Sequence, residues 1–204
     1  MKLEQIVWAE QGSQGPAGPG LRSAQWVLVF GGSAELARED LRAQLRQRSP
    51  AATLMGCTTA GEIAGARVRD RSMSATAVQF EHTRFRCAEV KLPDAAHSRE
   101  AGAALAEELD QPGLTHVFVI SEGLKVNGSE LVRGLTSRLP PGVAVTGELS
   151  GDGDRFGQTL VWLERSGTTS APTEGKVIGI GFAGGCGWAT AQSAGGTPSA
   201  RSAW

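Results

Sequence analysis

The sequence predicts an α/β fold in which helices pack against a mixed β-sheet, and three observations support this. Stretches with helical spacing of apolar residues alternate with short apolar, β-rich runs. Several neighbouring runs are separated by short turns, which indicates antiparallel pairs beside parallel ones. The pattern of residues 26–80 returns in residues 116–163, so we expect an internal duplication of a β-α-β-turn-β unit.

The first repeat begins after an N-terminal strand and a loop. Residues 3–9 predict the strand, and the Gly/Pro-rich residues 11–22 predict a flexible loop, since their glycines keep no collagen-like period. Residues 26–30 are apolar and predict a buried strand. Residues 34–47 predict one amphipathic helix, which Pro50 ends, because three leucines fall on one side of it: Leu36, Leu41 and Leu45.

A polar turn follows the next apolar run. Residues 56–63 read Gly-Cys-Thr-Thr-Ala-Gly-Glu-Ile, and their two glycines permit close backbone approach. The basic run at residues 67–71 contains one acid and predicts a solvated loop. Residues 72–80 and 83–92 are strand-like and separated by a short turn, so we expect them to form a hairpin.

The second half repeats this order of elements. Residues 100–109 are rich in alanine, leucine and glutamate and predict a helix. A second polar turn, at residues 148–154, takes the place of residues 56–63. The remaining elements of this half are a strand at 116–120, a helix at 129–139 closed by two prolines, and strands at 143–147, 158–163 and 176–182.

Composition excludes several classes of protein. The chain has 20 basic and 21 acidic residues, with no basic stripe of the kind that binds nucleic acid. Its three cysteines are scattered, which fits neither a disulfide framework nor a zinc site. The first residues lack the apolar core of a signal peptide, and no apolar run approaches the ~20 residues of a membrane span. We therefore expect a cytoplasmic protein that does not bind membranes.

The two polar turns, with the end of strand 116–120, are the predicted ligand site, because ligands bind at the carboxyl ends of strands in open α/β sheets. Hydroxyls and turn amides would bind a carboxylate, and Glu62 or Asp152 an ammonium group. The predicted ligand-binding residues are Cys57, Thr58, Thr59, Gly61, Glu62, Ser121, Glu122, Thr146, Gly147, Gly151 and Asp152.

Each of these residues also has a structural interpretation. Glu62 could be a capping or turn acid, and Asp152 a surface turn residue. Cys57 could be a nucleophile, but no histidine has a spacing that ties it to this thiol, so a small packed residue is favoured. A calcium loop from Asp152 is excluded, because Phe156 and Leu163 occupy its ligand positions. We expect no catalytic residue, metal or cofactor.

Four segments resemble the FIST domain family and span most of residues 26–183. They are residues 27–31, residues 56–63, residues 120–124 with 126–128, and residues 146–156. The resemblance implies a cytoplasmic sensory domain that binds a small ligand, such as an amino acid, and signals to a downstream protein. The chain departs from the family at Glu122, where aspartate is expected, and before Trp26, where a Gly/Pro-rich loop replaces a helix.

Two alternatives to a sensory domain remain at this point. One is a hydrolase or transferase that depends on Cys57, for which an alkylation rate that rises well below pH ~8 would be evidence. The other is a protein interaction module without a small ligand.

The C-terminal residues 184–204 follow none of these patterns. Back-translation, read in the frame that begins at each third base, permits Gly-Gly-Trp and Phe-Gly-Pro-Glu-Arg, elements of the C-terminal part of the FIST family. We therefore expect a sensory domain at residues 1–183, its ligand between the repeats, and a non-native tail at 184–204. A frameshift would have replaced the C-terminal part.

Overall fold

The computed structural model describes residues 1–9, 12–14 and 21–184 of the chain. Backbone contacts divide the chain into two compact units. The first unit comprises Met1–Glu81, Glu122–Leu124 and Leu149–Lys176. The second comprises His82–Ser121, Lys125–Glu148 and the residues from Val177 onward.

The described elements follow in chain order. They are β1 (Lys2–Ala9), β2 (Gly12–Gln14), β3 (Trp26–Gly31), α1 (Ser33–Ala37), α2 (Glu39–Arg48), β4 (Thr53–Thr58), β5 (Glu62–Ala64), β6 (Arg67–Arg69), β7 (Met73–Gln79), β8 (Arg84–Lys91), α3 (Ser98–Leu109), β9 (Leu114–Ser121), α4 (Gly128–Arg138), β10 (Ala144–Leu149), β11 (Val161–Glu164) and β12 (Lys176–Ala183). A short 3-10 turn, Ala95–His97, precedes α3.

The first unit is built on a six-stranded sheet in the order β11-β4-β3-β7-β1-β2. Strands β3 and β4 are parallel, and the helices α1 and α2 connect them, while β11, β7 and β1 pair antiparallel with their neighbours. Leu36 and Leu45 of the helices are fully buried in one apolar core with Trp162 of β11. The Arg46 Nε donates to Glu164 Oε1 over 2.8 Å and ties α2 to β11.

The second unit has a four-stranded sheet in the order β10-β9-β12-β8, and α3 and α4 belong to its core. The two helices approach closely through a reciprocal pair of glycines. A Cβ on Gly102 would lie 2.2 Å from the Leu131 carbonyl oxygen, and a Cβ on Gly134 would lie 2.0 Å from the Arg99 carbonyl oxygen. Since neither contact leaves room for a methyl group, only glycine permits this spacing.

The two sheets share one connectivity, but the last strand of the predicted second repeat is wrong. Residues 158–163 lead into β11, which pairs with β4 in the first unit, and β12 takes the place in the second sheet that β7 has in the first. The order β4-β3-β7-β1 in the first unit corresponds to β10-β9-β12-β8 in the second. In the first sheet, helices join β3 to β4, the later strand β7 pairs with β3 on the side away from β4, and β1, which comes first in the chain, lies beside β7. In the second sheet, β9, β10, β12 and β8 have the same order. The predicted α/β fold with a mixed sheet is confirmed.

The predicted hairpin of residues 72–80 and 83–92 is wrong. Strand β7 lies in the six-stranded sheet between β3 and β1, and β8 lies beside β12 in the other sheet. Both edges of β7 are therefore occupied by other strands, and the short turn between β7 and β8 is where the chain passes from the first unit to the second.

Three other segments differ from their predictions. The predicted helix 34–47 is two helices, because Arg38 adopts an extended conformation (φ −68°, ψ 114°) and its guanidinium binds Asp40. The basic run contains a strand, β6, which pairs with β5. In the predicted loop 11–22, Gly12–Gln14 pairs with β1 and Leu21 is buried in the core.

The predicted tail lies outside the described residues from 185 onward. Within the described part of the chain, no helix has both the length and the apolar character needed to cross a membrane.

Candidate functional site

A polar cavity of about 490 Å³ lies within the first unit. Its walls come from the start of α1, the turn after β4, the end of the β5–β6 hairpin, and the second polar turn. The lining residues are Gly32, Ala34, Glu35, Thr59, Ala60, Gly61, Glu62, Asp70, Arg71, Asp152, Gly153, Asp154 and Arg155. Both predicted turns therefore contribute to one cavity.

The first turn is fixed at Thr58, the last residue of β4. Its amide donates to the Leu160 carbonyl over 2.9 Å, and its hydroxyl oxygen accepts from the Leu160 amide over 3.0 Å. The Thr58 carbonyl accepts from the Gly151 amide over 2.9 Å, which joins the first turn to the second. Because Thr58 is fully buried, it holds the turn in place and Thr59 is the residue that reaches the cavity.

Glu62 has its carboxylate beneath the base of the β5–β6 hairpin. The residue is 1% exposed, and it accepts hydrogen bonds from the Thr59 hydroxyl (2.7 Å) and the Ser72 hydroxyl (2.5 Å). Thr59 precedes the β5–β6 hairpin and Ser72 follows it, so the Glu62 carboxylate links the two ends of the hairpin. In the described part of the chain, Glu62 takes part in no salt bridge.

Asp152 organises the second turn. Its carboxylate accepts from the Ser33 hydroxyl, from the amides of Gly157 (3.3 Å) and Gln158 (3.1 Å), and pairs with Arg155 at 2.7 Å. These donors, the Ser33 hydroxyl above all, hold the pKa of the Asp152 carboxyl below its usual range. Asp152 is thus an ionised group whose oxygens already have donors.

Charged groups at the cavity's edge are exposed. They include the guanidinium groups of Arg71 and Arg155 and the carboxylates of Asp70 and Asp154. Arg71 adopts a left-handed backbone conformation (φ 48°), and so does Phe156 (φ 47°), two residues after the second turn. Such conformations are costly for residues other than glycine and concentrate at functional sites.

The structure brings four of the predicted site residues to the cavity: Thr59, Gly61, Glu62 and Asp152. Gly61 is tightly surrounded, since a Cβ there would lie 3.3 Å from Val68 Cγ1 and 3.4 Å from Asp70 Oδ1. Cys57 and Thr58 lie in β4 and are fully buried, and Gly151 contacts the first turn through its amide.

The other predicted residues are not among those that line the cavity. Glu122 is buried in the first unit and accepts from the Leu124 amide (2.8 Å) and the Thr159 hydroxyl (2.6 Å). Ser121, Thr146 and Gly147 belong to the second unit. There the Thr146 hydroxyl lies 2.8 Å from Nε2 of the buried His116.

Sequence reasoning missed the charged residues of the cavity. Asp70 and Arg71 belong to the basic run predicted to be a solvated loop, and Glu35 lies in the first turn of a helix. The sequence does contain a pattern that could have indicated these residues. An aspartate followed by an arginine occurs twice, as Asp70-Arg71 and as Asp154-Arg155.

Comparison with known proteins identifies one family. The model of the FIST N domain matches residues 25–203, a range that includes both polar turns and every residue that lines the cavity. No curated protein matches the chain.

Proposed function

Because the chain belongs to the FIST N domain family, a family of sensory domains for signal transduction, we propose that it binds a free amino acid. The ligand would occupy the cavity of the first unit, and its presence would be signalled to a downstream protein in the cytoplasm. The proposal requires neither a cofactor nor a catalytic residue.

The main support for this proposal is that Glu62 is buried and forms no salt bridge in the described part of the chain. A carboxylate that is 1% exposed normally has a cationic partner, because burial penalises an unpaired charge. Glu62 instead receives two hydroxyl hydrogen bonds and lines a cavity. The ammonium group of an amino acid would provide the missing positive charge.

The opposite end of an amino acid also finds suitable groups. Arg71 and Arg155 line the cavity, and guanidinium groups bind carboxylates strongly. Nε and Nη2 of Arg155 contact Asp152, so the ligand carboxylate would bind this arginine through Nη1. The Thr59 hydroxyl donates to Glu62, so these arginines take the role that the sequence predicted for hydroxyls. The volume of about 490 Å³ falls in the range of roughly 300–1,000 Å³ that is typical of small-molecule sites.

We predict that Glu62→Gln weakens amino-acid binding, because glutamine keeps the shape of the side chain and loses its charge. The screen measures the melting temperature of the chain with each of the twenty amino acids, followed by calorimetry on those that raise it. We expect at least one amino acid to bind, and Glu62→Gln to weaken it by about tenfold or more.

The matched control is Glu39→Gln, since Glu39 is an exposed acid on α2 that does not line the cavity. It should bind as the unchanged chain does. Melting of each variant without ligand shows whether it folds. A correctly folded Glu62→Gln chain with unchanged affinity would place the ligand elsewhere.

The alternative of a ligand-free interaction module is favoured by one observation. Ile63 and Val68, a cross-strand pair on the β5–β6 hairpin, are 69% and 72% exposed, and Phe156 is 75% exposed. Exposed apolar side chains of this kind commonly contact other proteins. If no amino acid changes the melting temperature while a partner protein does, this alternative replaces the sensory function.

A further inference from the structure

The charges that line the cavity are unequal. Two guanidinium groups, those of Arg71 and Arg155, stand against five carboxylates: Glu35, Glu62, Asp70, Asp152 and Asp154. The whole chain has nearly equal numbers of acids and bases, so this excess of negative charge is a property of the cavity. A neutral amino acid brings one positive and one negative group and leaves the excess unchanged.

Some of these carboxylates are already compensated. Asp152 is paired with Arg155 and receives hydrogen bonds from Ser33 and two amides. Glu35 lies in the first turn of α1, where the helix dipole favours a carboxylate. Glu62 would be compensated by the ligand's α-ammonium group under the proposed function.

Asp70 and Asp154 have no compensation of these kinds. In the described residues neither forms a salt bridge, and both are exposed at the cavity's edge. Asp70 is also close to the first turn, since its Oδ1 would lie 3.4 Å from a Cβ on Gly61. Two acids at the open side of a cavity with a buried acid inside suit a ligand with two separated positive groups.

A metal ion does not account for these acids equally well. Within the described part of the chain, no group of three or more histidine, cysteine, aspartate or glutamate side chains is arranged to hold one. The carboxylates that line the cavity do not form such a group, and an extended organic cation fits them better than a metal ion does.

We infer that the ligand is a basic amino acid, such as lysine, ornithine or arginine, whose side-chain cation is bound by Asp70 and Asp154. This inference rests on the proposed function and adds the ligand's class to it. The α-ammonium group lies at the buried Glu62, the carboxylate at Arg71 and Arg155, and the side chain extends toward the open side.

The test compares ligands that differ in a single charge. L-lysine and L-norleucine have the same carbon chain, and norleucine lacks the terminal ammonium group. Calorimetry at low ionic strength should give at least about tenfold tighter binding for lysine, and added salt should reduce this ratio. L-ornithine, L-arginine, L-glutamine and L-glutamate complete the set.

The double variant Asp70→Asn, Asp154→Asn identifies the responsible residues. It should lower the affinity for lysine to that for norleucine and leave norleucine binding unchanged, while Glu39→Gln keeps the full preference. Both replaced side chains are exposed, so the melting temperature should change little.

The possible failures are distinguishable. If a neutral or acidic amino acid binds as tightly as the basic ones, the inference is wrong and the proposed function stands. If no amino acid binds, both are wrong. If lysine is preferred but the double variant keeps the preference, the assignment to Asp70 and Asp154 is overturned.

Discussion

Individual buried polar residues in this chain have different kinds of partner. Glu164 is balanced by Arg46, and Glu122 accepts from a hydroxyl and an amide within a turn. His116 is 2% exposed beside Thr146 and Phe182. Burial of the imidazole lowers its pKa, so His116 is neutral in the folded chain at pH values where a solvated histidine is partly charged.

We predict that the second unit loses stability on acidification below pH ~6.5, the ordinary histidine pKa. The unfolded chain binds a proton at His116 in this range and the folded chain does not, so the free energy of unfolding rises with pH there. Hydrogen–deuterium exchange of peptides from α3, α4 and β9 at several pH values reports this, because the described tryptophans (Trp8, Trp26 and Trp162) all lie in the first unit.

His116→Asn is the control variant for this pH dependence. Asparagine retains a hydrogen-bonding group toward Thr146 and does not titrate in this range. Its second unit should show a flatter pH profile. An unchanged profile would assign the pH dependence to other groups.

Helices α3 and α4 illustrate how one residue type determines the packing of two elements. Gly102 and Gly134 face the backbone of the opposite helix at distances that exclude a methyl group. Alanine has a helix propensity about 1 kcal/mol better than glycine, but it would push the two helices apart.

We predict that Gly102→Ala and Gly134→Ala each destabilise the second unit by about 2 kcal/mol, since overpacking outweighs the gain in propensity. Hydrogen exchange of α3 and α4 under native conditions measures this loss. Thr136→Ala, on the exposed side of α4, should have a small effect. Equal protection in the glycine variants and this control would contradict the close packing.

At the scale of the elements, the sequence predicted the positions of helices and strands better than it predicted which strands pair with each other. Continuous apolar runs located β3 and β9, because both strands are buried along most of their length. A composition of helix-forming residues located α3, and two prolines located the end of α4. The sequence could not show that β7 and β8 belong to different sheets, since a short polar turn suits a hairpin and a crossing between units alike. The strand β6 was missed because a charged, exposed hairpin carries no apolar alternation.

The candidate site shows the same limit. The glycines and hydroxyls of both turns indicated a polar site, and Thr59, Gly61, Glu62 and Asp152 do line one cavity. Sequence patterns could not locate Ser33, which contacts Asp152 from 119 positions away. They also could not show that Thr58 and Thr59 differ in role. The Thr58 hydroxyl accepts a hydrogen bond from the Leu160 amide, whereas Thr59 lines the cavity.

At the scale of the whole molecule, neither unit is a continuous piece of the chain. The first unit takes Leu149–Lys176 from the second half, and this segment includes β11, Asp152 and Trp162. Trp162 is 1% exposed in the core with Leu36 and Leu45, so that core is incomplete without it.

We predict that a fragment of residues 1–81 does not fold by itself. It lacks β11, which pairs with the outer edge of β4, and with it the Arg46–Glu164 salt bridge and the buried Trp162, each of which stabilises the first unit. Circular dichroism during heating should show a cooperative transition for the full chain and none for the fragment. A cooperative transition in the fragment would show that β1 to β7 suffice.

The pairing of β4 with β11 also determines how the protein must emerge from the ribosome. Residues Thr53–Thr58 are synthesised roughly 100 residues before Val161–Glu164, a delay of about 5–20 s at ordinary translation rates. Throughout this delay the outer edge of β4 is a strand edge without its partner, which other nascent chains can pair with. A chaperone that covers β4 during translation would therefore raise the yield of folded protein more than one that acts after release.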